Sequence, residues 1–554
     1  MLLCCCFQWE DILISQFWSS VRLARKKKTM LLLLIGLLVV AILVYFSLVK
    51  PLSYWKKKGV EQENFLKAFW FNWFGICGRQ SLVSYVQNMY YQFPNRRYSG
   101  VYQLNVPVLV LKDPELMKLV LIKDFDHFTD RRTYIPDDVD PLWANSLFSL
   151  KGSKWRNMRS TLSPAFTSSK MKGMFILMKK CAENFIDHFS KQDENIIPVD
   201  LKDIFSRFCN DAIATTAFGV EVDSLANPDN LFYKMGQKAT NFNSFKKSFQ
   251  AFGYLVCPRL YKLLNLKLYD DDIAEFFRNL IDETIEAREK QGIIRPDMIN
   301  LLMEARSGVA KKDESNVEDA GYATVEESVQ GKLVTDITNE DITAQALIFF
   351  FAGFESLSSL MCFMAYELAV NQDIQERLRQ EIQESSEQTG GKLTYEVLVK
   401  MKYMDMVVTE VLRKWPPQVI GERICTEPYT IQPITPEEKP LHLEKGTYLI
   451  FPEYSIQRDP EYFPDPDRFD PERFSDENKG KIKPLTYQPF GHGPRNCIGS
   501  RFALLEAKVL FYYILSKFEI VPTEKTTIPL VLANNIVVLA VEKGFDMGLK
   551  RLEK

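Results

Sequence analysis

The sequence predicts one large, mainly α-helical domain with a minor β region, preceded by a single N-terminal transmembrane helix. Three observations lead to this prediction. From about residue 84 onward, most of the chain shows the three-to-four-residue spacing of apolar side chains that is typical of amphipathic helices. Residues 30–49 form an apolar run, and short runs of alternating apolar and polar residues occur near 100–112 and 528–544.

The apolar run at 30–49 (MLLLLIGLLVVAILVYFSLV) is long enough to cross a bilayer as a helix. A cleaved signal peptide is the alternative, but Lys50 and Trp55 follow instead of a small-residue cleavage site. Basic residues lie on both sides of the run, so the positive-inside rule nearly cancels. We therefore predict a retained anchor, with Met30 as the physiological start or residues 1–29 as an unusual extension. A start at Met30 would place the large domain in the cytosol.

Beyond the anchor we predict a linker at 50–83 and one catalytic domain at 84–554, without internal repeats. The predicted helices are 114–123, 154–166, 168–190, 200–217, 271–290, 339–370, 373–385, 394–415 and 500–517. The alternating runs at 100–112 and 528–544 predict a small hairpin and a second small sheet. The polar, charged stretch 306–337 is typical of a flexible surface linker.

The stretch 344–370 is apolar enough to imitate a second membrane span. Polar or small residues such as Gly353, Glu355 and Ser356 interrupt it, however, and Thr338 with Asp341 has the pattern of a capping box. We therefore predict a long helix that is buried inside the domain.

Composition excludes several functional classes. A formal net charge of −2 gives no indication of nucleic-acid binding. The ten cysteines have neither the spacing of a disulfide framework nor a CxxC zinc pattern, which suits a reducing compartment. The four histidines form no HExxH motif, and there is no GxSxG, so zinc and serine hydrolases are poorly supported.

The most informative segment is Phe490-Gly491-His492-Gly493-Pro494-Arg495-Asn496-Cys497-Ile498-Gly499. A thiolate that faces a metal needs backbone amides directed at its sulfur, and glycines allow the tight turn and the close approach of a flat ligand. Arg495 is placed to meet an anionic group on that ligand. The alternative is a glycine-rich surface loop with an incidental cysteine, which the joint register of Phe490, Arg495 and Gly499 disfavours.

This loop resembles the haem-binding signature of the cytochrome P450 monooxygenases, in which the cysteine thiolate is the fifth ligand of the iron. The resemblance extends from about residue 84 to the end and is closest to the microsomal, insect-type detoxification branch. It implies the cytochrome P450 fold, with haem b between a long central helix and the loop of Cys497. His492 is interpreted as a loop residue, because a thiolate donates more electron density for oxygen cleavage. The proline-rich hinge usual in the family is absent from 59–80.

Within the long helix, Ala352-Gly353-Phe354-Glu355-Ser356 resembles the oxygen-activation motif of the family. Ala352 and Gly353 leave room for a ligand on the open face of the iron, and the acid and hydroxyl of Glu355 and Ser356 supply a proton route. Most members have threonine where this chain has Ser356, and serine aims its hydroxyl less firmly. A polar kink in a core helix is the alternative interpretation.

Two further groups follow from the resemblance. Glu410 and Arg413 lie at i and i+3 on one helix face, and Arg473 supplies a third member; we assign this set to structure rather than to catalysis. Cations are expected near the two haem propionates. The residues matching those positions are Trp155, Arg159, Arg131, Arg423 and Arg495, and the adjacent Arg132 could serve in place of Arg131.

The predicted function is insertion of one oxygen atom from O2 into lipophilic small molecules, at the endoplasmic reticulum membrane. Electrons are expected from NADPH through a separate cytochrome P450 reductase, with cytochrome b5 as a further partner, because the chain lacks a GxGxxG or flavin domain of its own. A basic docking face is predicted from Lys154, Arg156, Lys170, Lys172 and Lys414. A reductase-independent haem-thiolate isomerase or dehydratase and a non-catalytic haem sensor remain alternatives. The aromatic-rich segments 134–150 and 231–255 are expected to line or cover the substrate cavity.

Overall fold

The computed structural model of the chain describes residues 50–64, 80–103, 106–133, 135–240, 266–295, 297–307, 331–334, 336–534 and 539–553, with a few residues at 34–36, 38–39, 45, 262–264 and 322. Residues 1–29, most of the predicted anchor at 30–49 and most of the predicted linker at 306–337 lie outside the described residues. The chain divides into two compact units. One comprises residues 1–72 and 100–108, and the other comprises 73–99 and 109–554.

In the first unit, a short helix at Tyr54–Lys57 holds the fully buried side chain of Trp55. Gly100 lies directly against this ring, because a Cβ atom at position 100 would stand 2.3 Å from it. The Glu63 carboxylate accepts a hydrogen bond of 2.6 Å from the Tyr102 amide. Burial raises the pKa of Glu63 to about 7.

The second unit is mainly helical, as the sequence predicts. Its longer helices are α1 (Leu82–Tyr91), α2 (Gly152–Leu162), α3 (Ser168–Ser190), α4 (Leu201–Ile213), α5 (Leu231–Thr240), α6 (Asp271–Gln291), α7 (Met298–Arg306), α8 (Asn339–Val370), α9 (Gln372–Gln388), α10 (Lys402–Lys414) and α11 (Ser500–Leu515). Shorter helices occur at Pro114–Lys118, Pro141–Ala144, Tyr395–Lys400 and Glu453–Ile456.

The predicted helices at 168–190 and 339–370 are confirmed with the same bounds. The predicted helix at 394–415 is instead two helices, because Met401 takes an extended conformation between them (φ −71°, ψ 98°). Several helices end in a different helical geometry: π-helical turns follow at Leu119–Lys123 and Ala214–Phe218, and a 3-10 turn follows at Ser163–Phe166.

The minor β region is confirmed and consists of short strands. These are β1 (Tyr98–Gln103), β2 (Val106–Leu111), β3 (Ile196–Asp200), β4 (Gly421–Ile424), β5 (Tyr429–Ile431), β6 (Leu441–Leu443), β7 (Tyr448–Phe451), β8 (Phe518–Pro522) and β9 (Asp546–Arg551). β3, β9 and β8 form an antiparallel sheet in that order, and β5 pairs with β6. β4 pairs antiparallel with β7, so that Gly421 lies opposite Phe451.

The prediction of a sheet at 528–544 is borne out only in part among the described residues, where the Ala533 amide donates to the Ala540 carbonyl and the Glu542 amide to the Val531 carbonyl. The strands β8 and β9 flank this segment, and among its described residues the pairing is limited to a bridge between Leu532 and Val541. Pro529 lacks an amide hydrogen and cannot donate to a ladder. The apolar alternation therefore lies between the strands rather than on them.

Helix α8 forms the centre of the second unit. The predicted capping box is present, since the Thr338 hydroxyl and the Asp341 carboxylate each accept a hydrogen bond from the other residue's backbone amide. Among the described residues, α8 is the one helix long and apolar enough to cross a membrane, and 61% of its most apolar window is buried. It packs against α4, α6, α10 and α11. These contacts confirm the prediction of a long helix buried in the domain.

Candidate functional site

A cavity of about 380 Å³ lies between α8 and the loop that leads into α11. From α8 it is lined by Ala352, Gly353 and Ser356, and from the loop by residues 488–499 except Gly493 and Pro494. Most of the remaining wall is apolar; it includes Leu121, Leu147, Phe148, Ile213, Ile348, Phe349, Leu357, Leu360 and Phe502. The structure thus brings the two most informative sequence motifs to one cavity.

The loop before α11 depends on glycine at two positions. Gly491 and Gly493 adopt left-handed conformations, with φ of 70° and 75°. A Cβ atom at Gly493 would stand 1.8 Å from the Leu121 carbonyl oxygen, so no other residue fits there. The Cys497 amide then donates to the Phe490 carbonyl at 2.8 Å, which closes the turn.

Cys497 faces the cavity at the end of this turn. Its side chain is exposed to the cavity, but the surrounding protein separates it from bulk water and so raises the pKa of its thiol. Three groups act in the opposite direction and favour the thiolate: a hydrogen bond from the Gly499 amide and the charges of Arg159 and Arg131. A cation bound at the sulfur would complete this stabilisation.

Four guanidinium groups line the same cavity, those of Arg131, Arg159, Arg423 and Arg495. Arg495 is held by the Thr129 carbonyl at 2.8 Å and the Leu150 carbonyl at 2.6 Å. Its guanidinium stacks 4.1 Å above the ring of Trp155, so the predicted pair from the loop and from α2 is in direct contact. Arg159, on α2, donates to the Asn496 carbonyl at 3.0 Å.

The acidic groups around the cavity do not balance the positive charge of these arginines. Burial lowers the pKa of Arg131, and burial together with repulsion from Arg131 lowers the pKa of Arg423 to about 9. Burial and the charges of Arg131 and Arg423 likewise lower the pKa of Arg495. Among the described residues, the buried Nε atoms of Arg131 and Arg423 have no hydrogen-bond partner. A flat ligand carrying two carboxylates would fit this arrangement.

The acid and the hydroxyl of the α8 motif face different surroundings. The Ser356 hydroxyl lines the cavity and donates to the Ala352 carbonyl one turn earlier. Glu355 does not line the cavity; its Oε1 accepts a hydrogen bond of 2.9 Å from Lys202 Nζ on α4. The Lys202 ammonium also donates to Ser358 at 2.8 Å. No local pattern singles out Lys202, because its partner lies 153 residues away.

In the Glu410 set, Glu410 and Arg413 are fully buried and Arg473 is partly exposed, and all three lie outside the cavity lining. Arg413 forms two hydrogen bonds with the Glu410 carboxylate, at 2.7 and 2.8 Å. The Asp470 amide donates to the same carboxylate at 2.9 Å, and Arg473 stands 3.5 Å from it. Arg413 also binds the Gln457 carbonyl at 3.0 Å, so the set connects α10 to the segment before the cysteine loop.

His492 also lines the cavity, where its Nε2 atom lies 3.2 Å from the Tyr487 carbonyl. Burial lowers its pKa. The segment 134–150 contributes Leu147 and Phe148 to the lining, whereas residues 231–240 contribute none, and 241–255 lie outside the described residues.

Gln418 and Glu453 are among the lining residues that were missed from the sequence. Glu453 lies two residues after the apolar strand β7, and an acid so close to the end of a buried strand is a signal that could have found it. Gln418 lies in an irregular segment between α10 and β4, where no periodic pattern indicates which side chains face inward.

The prediction that Lys414 belongs to the basic docking face is wrong. Lys414 is mostly buried, and its ammonium pairs with Glu367 of α8 at 2.8 Å, so it is not available to a partner protein. Most residues of α10 are buried, so the aliphatic part of the Lys414 side chain packs with them rather than extending into solvent. Lys154 is exposed, while Arg156 and Lys172 pair with Asp126 and Glu396 near the surface.

Comparisons with known proteins agree with this geometry. A family model described as Cytochrome P450 matches residues 65–548. The chain is 45% identical over 492 residues to Cytochrome P450 9e2 of Blattella germanica, covering 86% of this chain and 89% of the relative. It is 40% identical to Probable cytochrome P450 9f2 of Drosophila melanogaster, with 90% and 95% covered. Cytochrome P450 6k1 of Blattella germanica is 34% identical, with 93% and 96% covered.

Proposed function

The chain belongs to the cytochrome P450 family, and from this premise we propose that it oxidises lipophilic small molecules at the endoplasmic reticulum membrane with electrons from NADPH. Family membership makes the chain a haem-thiolate monooxygenase of the insect type. The observation that carries the proposal is the position of Cys497, in a cavity with four guanidinium groups and opposite the small residues Ala352 and Gly353.

The residues present fit haem b. Cys497 would hold the iron through its thiolate, with the Gly499 amide hydrogen-bonded to its sulfur. Arg131, Arg423 and Arg495 would hold the propionates, together with Arg159 and Trp155 from α2. Phe490 lines the cavity at the start of the loop and would pack on the porphyrin. When bound, the haem supplies the iron that activates O2.

The side chains of α8 would supply protons to this chemistry. Ser356 Oγ lies at the cavity wall with its proton donated to the Ala352 carbonyl. It would relay a proton by accepting one from the Glu355 carboxyl while its own proton turns from the carbonyl toward the cavity. Glu355 is half-exposed and held by Lys202, so it can exchange protons with solvent. In this proposal the Glu355 carboxyl leaves Lys202 by rotation and brings the proton toward Ser356.

The apolar walls favour lipophilic substrates. Leucine, isoleucine and phenylalanine side chains of the lining exclude water and offer few hydrogen-bonding positions. Ala352 and Gly353 leave space beside the helix, and Gly353 packs so closely on Ile213 that a Cβ atom there would stand 2.8 Å from its side chain. The cavity therefore binds its substrate mainly by shape and burial.

Electrons would come from NADPH through a separate flavoprotein reductase, with cytochrome b5 as a second donor. Lys154 and Lys170 would contribute to a basic docking face, with Arg156 and Lys172 adding positive charge after their surface partners are displaced. The proposed membrane arrangement has an anchor at 30–49, a linker at 50–83 and the catalytic domain at 84–554.

The decisive experiment is the absorbance of the reduced, carbon-monoxide-bound protein, followed by turnover with NADPH and reductase. We expect the thiolate-ligated haem spectrum and substrate oxidation that requires both NADPH and O2. Rearrangement of a lipid peroxide without NADPH would support an isomerase or dehydratase instead. A normal spectrum without turnover of any lipophilic compound would contradict the proposal and favour a haem sensor.

A further inference from the structure

One lining residue has no role in the proposed chemistry. Glu453 begins the short helix that follows β7, and it is the only carboxylate among the described residues that line the cavity. Its side chain is almost completely buried, with 4% of the residue exposed. An acid in an otherwise apolar wall is costly unless it has a partner.

The structure gives Glu453 few partners. Within the described part of the chain, its one hydrogen bond comes from Gln418 Nε2, at 3.3 Å from Oε1, and no lysine or arginine forms an ion pair with it. Burial raises the pKa of Glu453 to about 8, against the weaker effects of Arg131, Arg423 and Gln418. The carboxyl therefore has hydrogen-bonding capacity that the protein leaves unused.

The space at this carboxyl is kept open by a neighbouring glycine. Gly421, on β4, lines the cavity beside Glu453, and a Cβ atom there would stand 2.5 Å from Glu453 Oε1. Gln418 is exposed to the cavity three residues earlier. The carboxyl and the amide therefore share one patch of wall, and a ligand can reach both of them.

We propose that Glu453 and Gln418 form a polar subsite that binds the hydroxyl group of lipophilic alcohols. A hydroxyl both donates and accepts, so it can donate to the Glu453 carboxyl while it accepts from the Gln418 amide. The rest of the alcohol would lie against the apolar walls. This inference rests on the proposed function only in taking the cavity to be the substrate cavity.

Two other ligand groups fit the patch less well. A haem propionate has no proton to donate, and it would place a second anion beside Glu453 whenever that carboxyl ionises. A protonated amine would be repelled by Arg131 and Arg423, whose charges act on Glu453. A neutral hydroxyl avoids both costs.

The test compares two ligands that differ by a single donor, dodecanol and dodecyl methyl ether, by calorimetry on the haem-loaded protein. The ether keeps the chain and the oxygen but cannot donate a hydrogen bond. We expect the wild type to bind the alcohol about tenfold more tightly than the ether, as one hydrogen bond to a buried acid allows. In Glu453→Leu this ratio should fall to about threefold or less, whereas Gln418→Leu should weaken the alcohol and the ether alike, because both oxygens can accept from the Gln418 amide.

Glu422→Gln is the matched control, because Glu422 is a neighbouring acid on β4 that does not line the cavity. The ratio of alcohol affinity to ether affinity in Glu422→Gln should equal that of the wild type. Equal binding of the two ligands by the wild type would refute the subsite, as would an equal fall of the ratio in Glu422→Gln. If Glu453→Leu fails to hold haem, unchanged affinities for both ligands in Gln418→Leu refute it as well. A preserved ratio without NADPH-dependent turnover would contradict the proposed function alone.

Discussion

The Cys497 sulfur lies in surroundings that both need and support a metal. Burial disfavours the thiolate, whereas the Gly499 amide and the nearby guanidinium groups favour it. The two effects oppose each other in the free protein, and a bound ferric ion would decide the balance by removing the proton altogether. No other described cysteine has this combination: Cys209 and Cys362 are buried away from the cavity, and Cys425 donates to the Glu427 carbonyl.

Replacing Cys497 with alanine should abolish the thiolate-ligated haem spectrum, because no other described cysteine lines the cavity. The measurement is haem content and the absorbance of the reduced, carbon-monoxide-bound form. Cys181→Ala is the control, since Cys181 is a half-buried cysteine of α3 outside the cavity. Normal spectra in Cys497→Ala would mean that the axial ligand has been assigned wrongly.

Replacing Ser356 with threonine should lower the peroxide released per NADPH consumed, by about twofold or more. The serine hydroxyl already bonds to the Ala352 carbonyl, and a β-methyl group would restrict χ1 further and keep the hydroxyl aimed. Peroxide and product are measured together at saturating substrate. Ser359→Thr, one turn away beside Lys202, serves as the control, and equal leakage in wild type and Ser356→Thr would disprove the idea.

Among single residues, the sequence was most informative where local geometry dictates identity. Gly493 is such a position, because only glycine fits against the Leu121 carbonyl. Cys497 and the arginines of the lining could be proposed from their motifs. Lys202 could not, since its importance comes from a partner distant in the chain that no local pattern reveals.

Helix α10 shows how an element can be fixed by a buried charge network. Its Glu410 and Arg413 are fully buried and are tied to Asp470, Arg473 and the Gln457 carbonyl. This network fastens the irregular segment at 457–473 to the helix, and that segment leads into the cysteine loop. The helix therefore positions the loop without touching the cavity.

Replacing Glu410 with alanine should cost about 3–5 kcal/mol of folding stability, because it leaves Arg413 buried and unpaired. We expect loss of bound haem rather than a simple decrease in rate. Haem content and the thermal unfolding midpoint measure this. Glu384→Ala, on the exposed face of α9, is the control, and a Glu410→Ala protein with normal haem content would show that the network is dispensable.

Elements with a strong helical period were predicted well, and short strands were predicted poorly. α3 and α8 were predicted with their exact bounds, because apolar residues recur along their whole length. The break at Met401 was missed, since the apolar period continues through it. The segment 528–544 pairs less than predicted, because alternation alone does not identify a partner strand.

The molecule as a whole carries buried acids that make its stability depend on pH. Glu506 of α11 is completely buried, and neither of its oxygens has a hydrogen-bond partner among the described residues, although the Cys209 thiol lies nearby. Burial raises its pKa from the ordinary value of 4.5 to about 8. Its protonated form is therefore the form that the folded protein favours.

This shift has a definite sign. The contribution of Glu506 to folding stability is complete below about pH 4.5, where its carboxyl is protonated in both the folded and the unfolded protein. This contribution is lost as the pH rises to about 8. Glu506→Gln cannot ionise, so its unfolding free energy should lack this decline, which is worth roughly 5 kcal/mol for the shift. Thermal midpoints of both proteins across this range test the expectation. Parallel pH profiles would contradict it, and Glu387→Gln, on the surface of α9, should follow the wild type.

The four guanidinium groups of the cavity have a consequence for biosynthesis. Arg131, Arg423 and Arg495 repel one another in the newly made chain, and their repulsion is relieved only when anions arrive between them. Porphyrin supply in the producing cell should then limit the yield of correctly folded protein. Cultures fed a porphyrin precursor should accumulate more of it than starved cultures at the same messenger level.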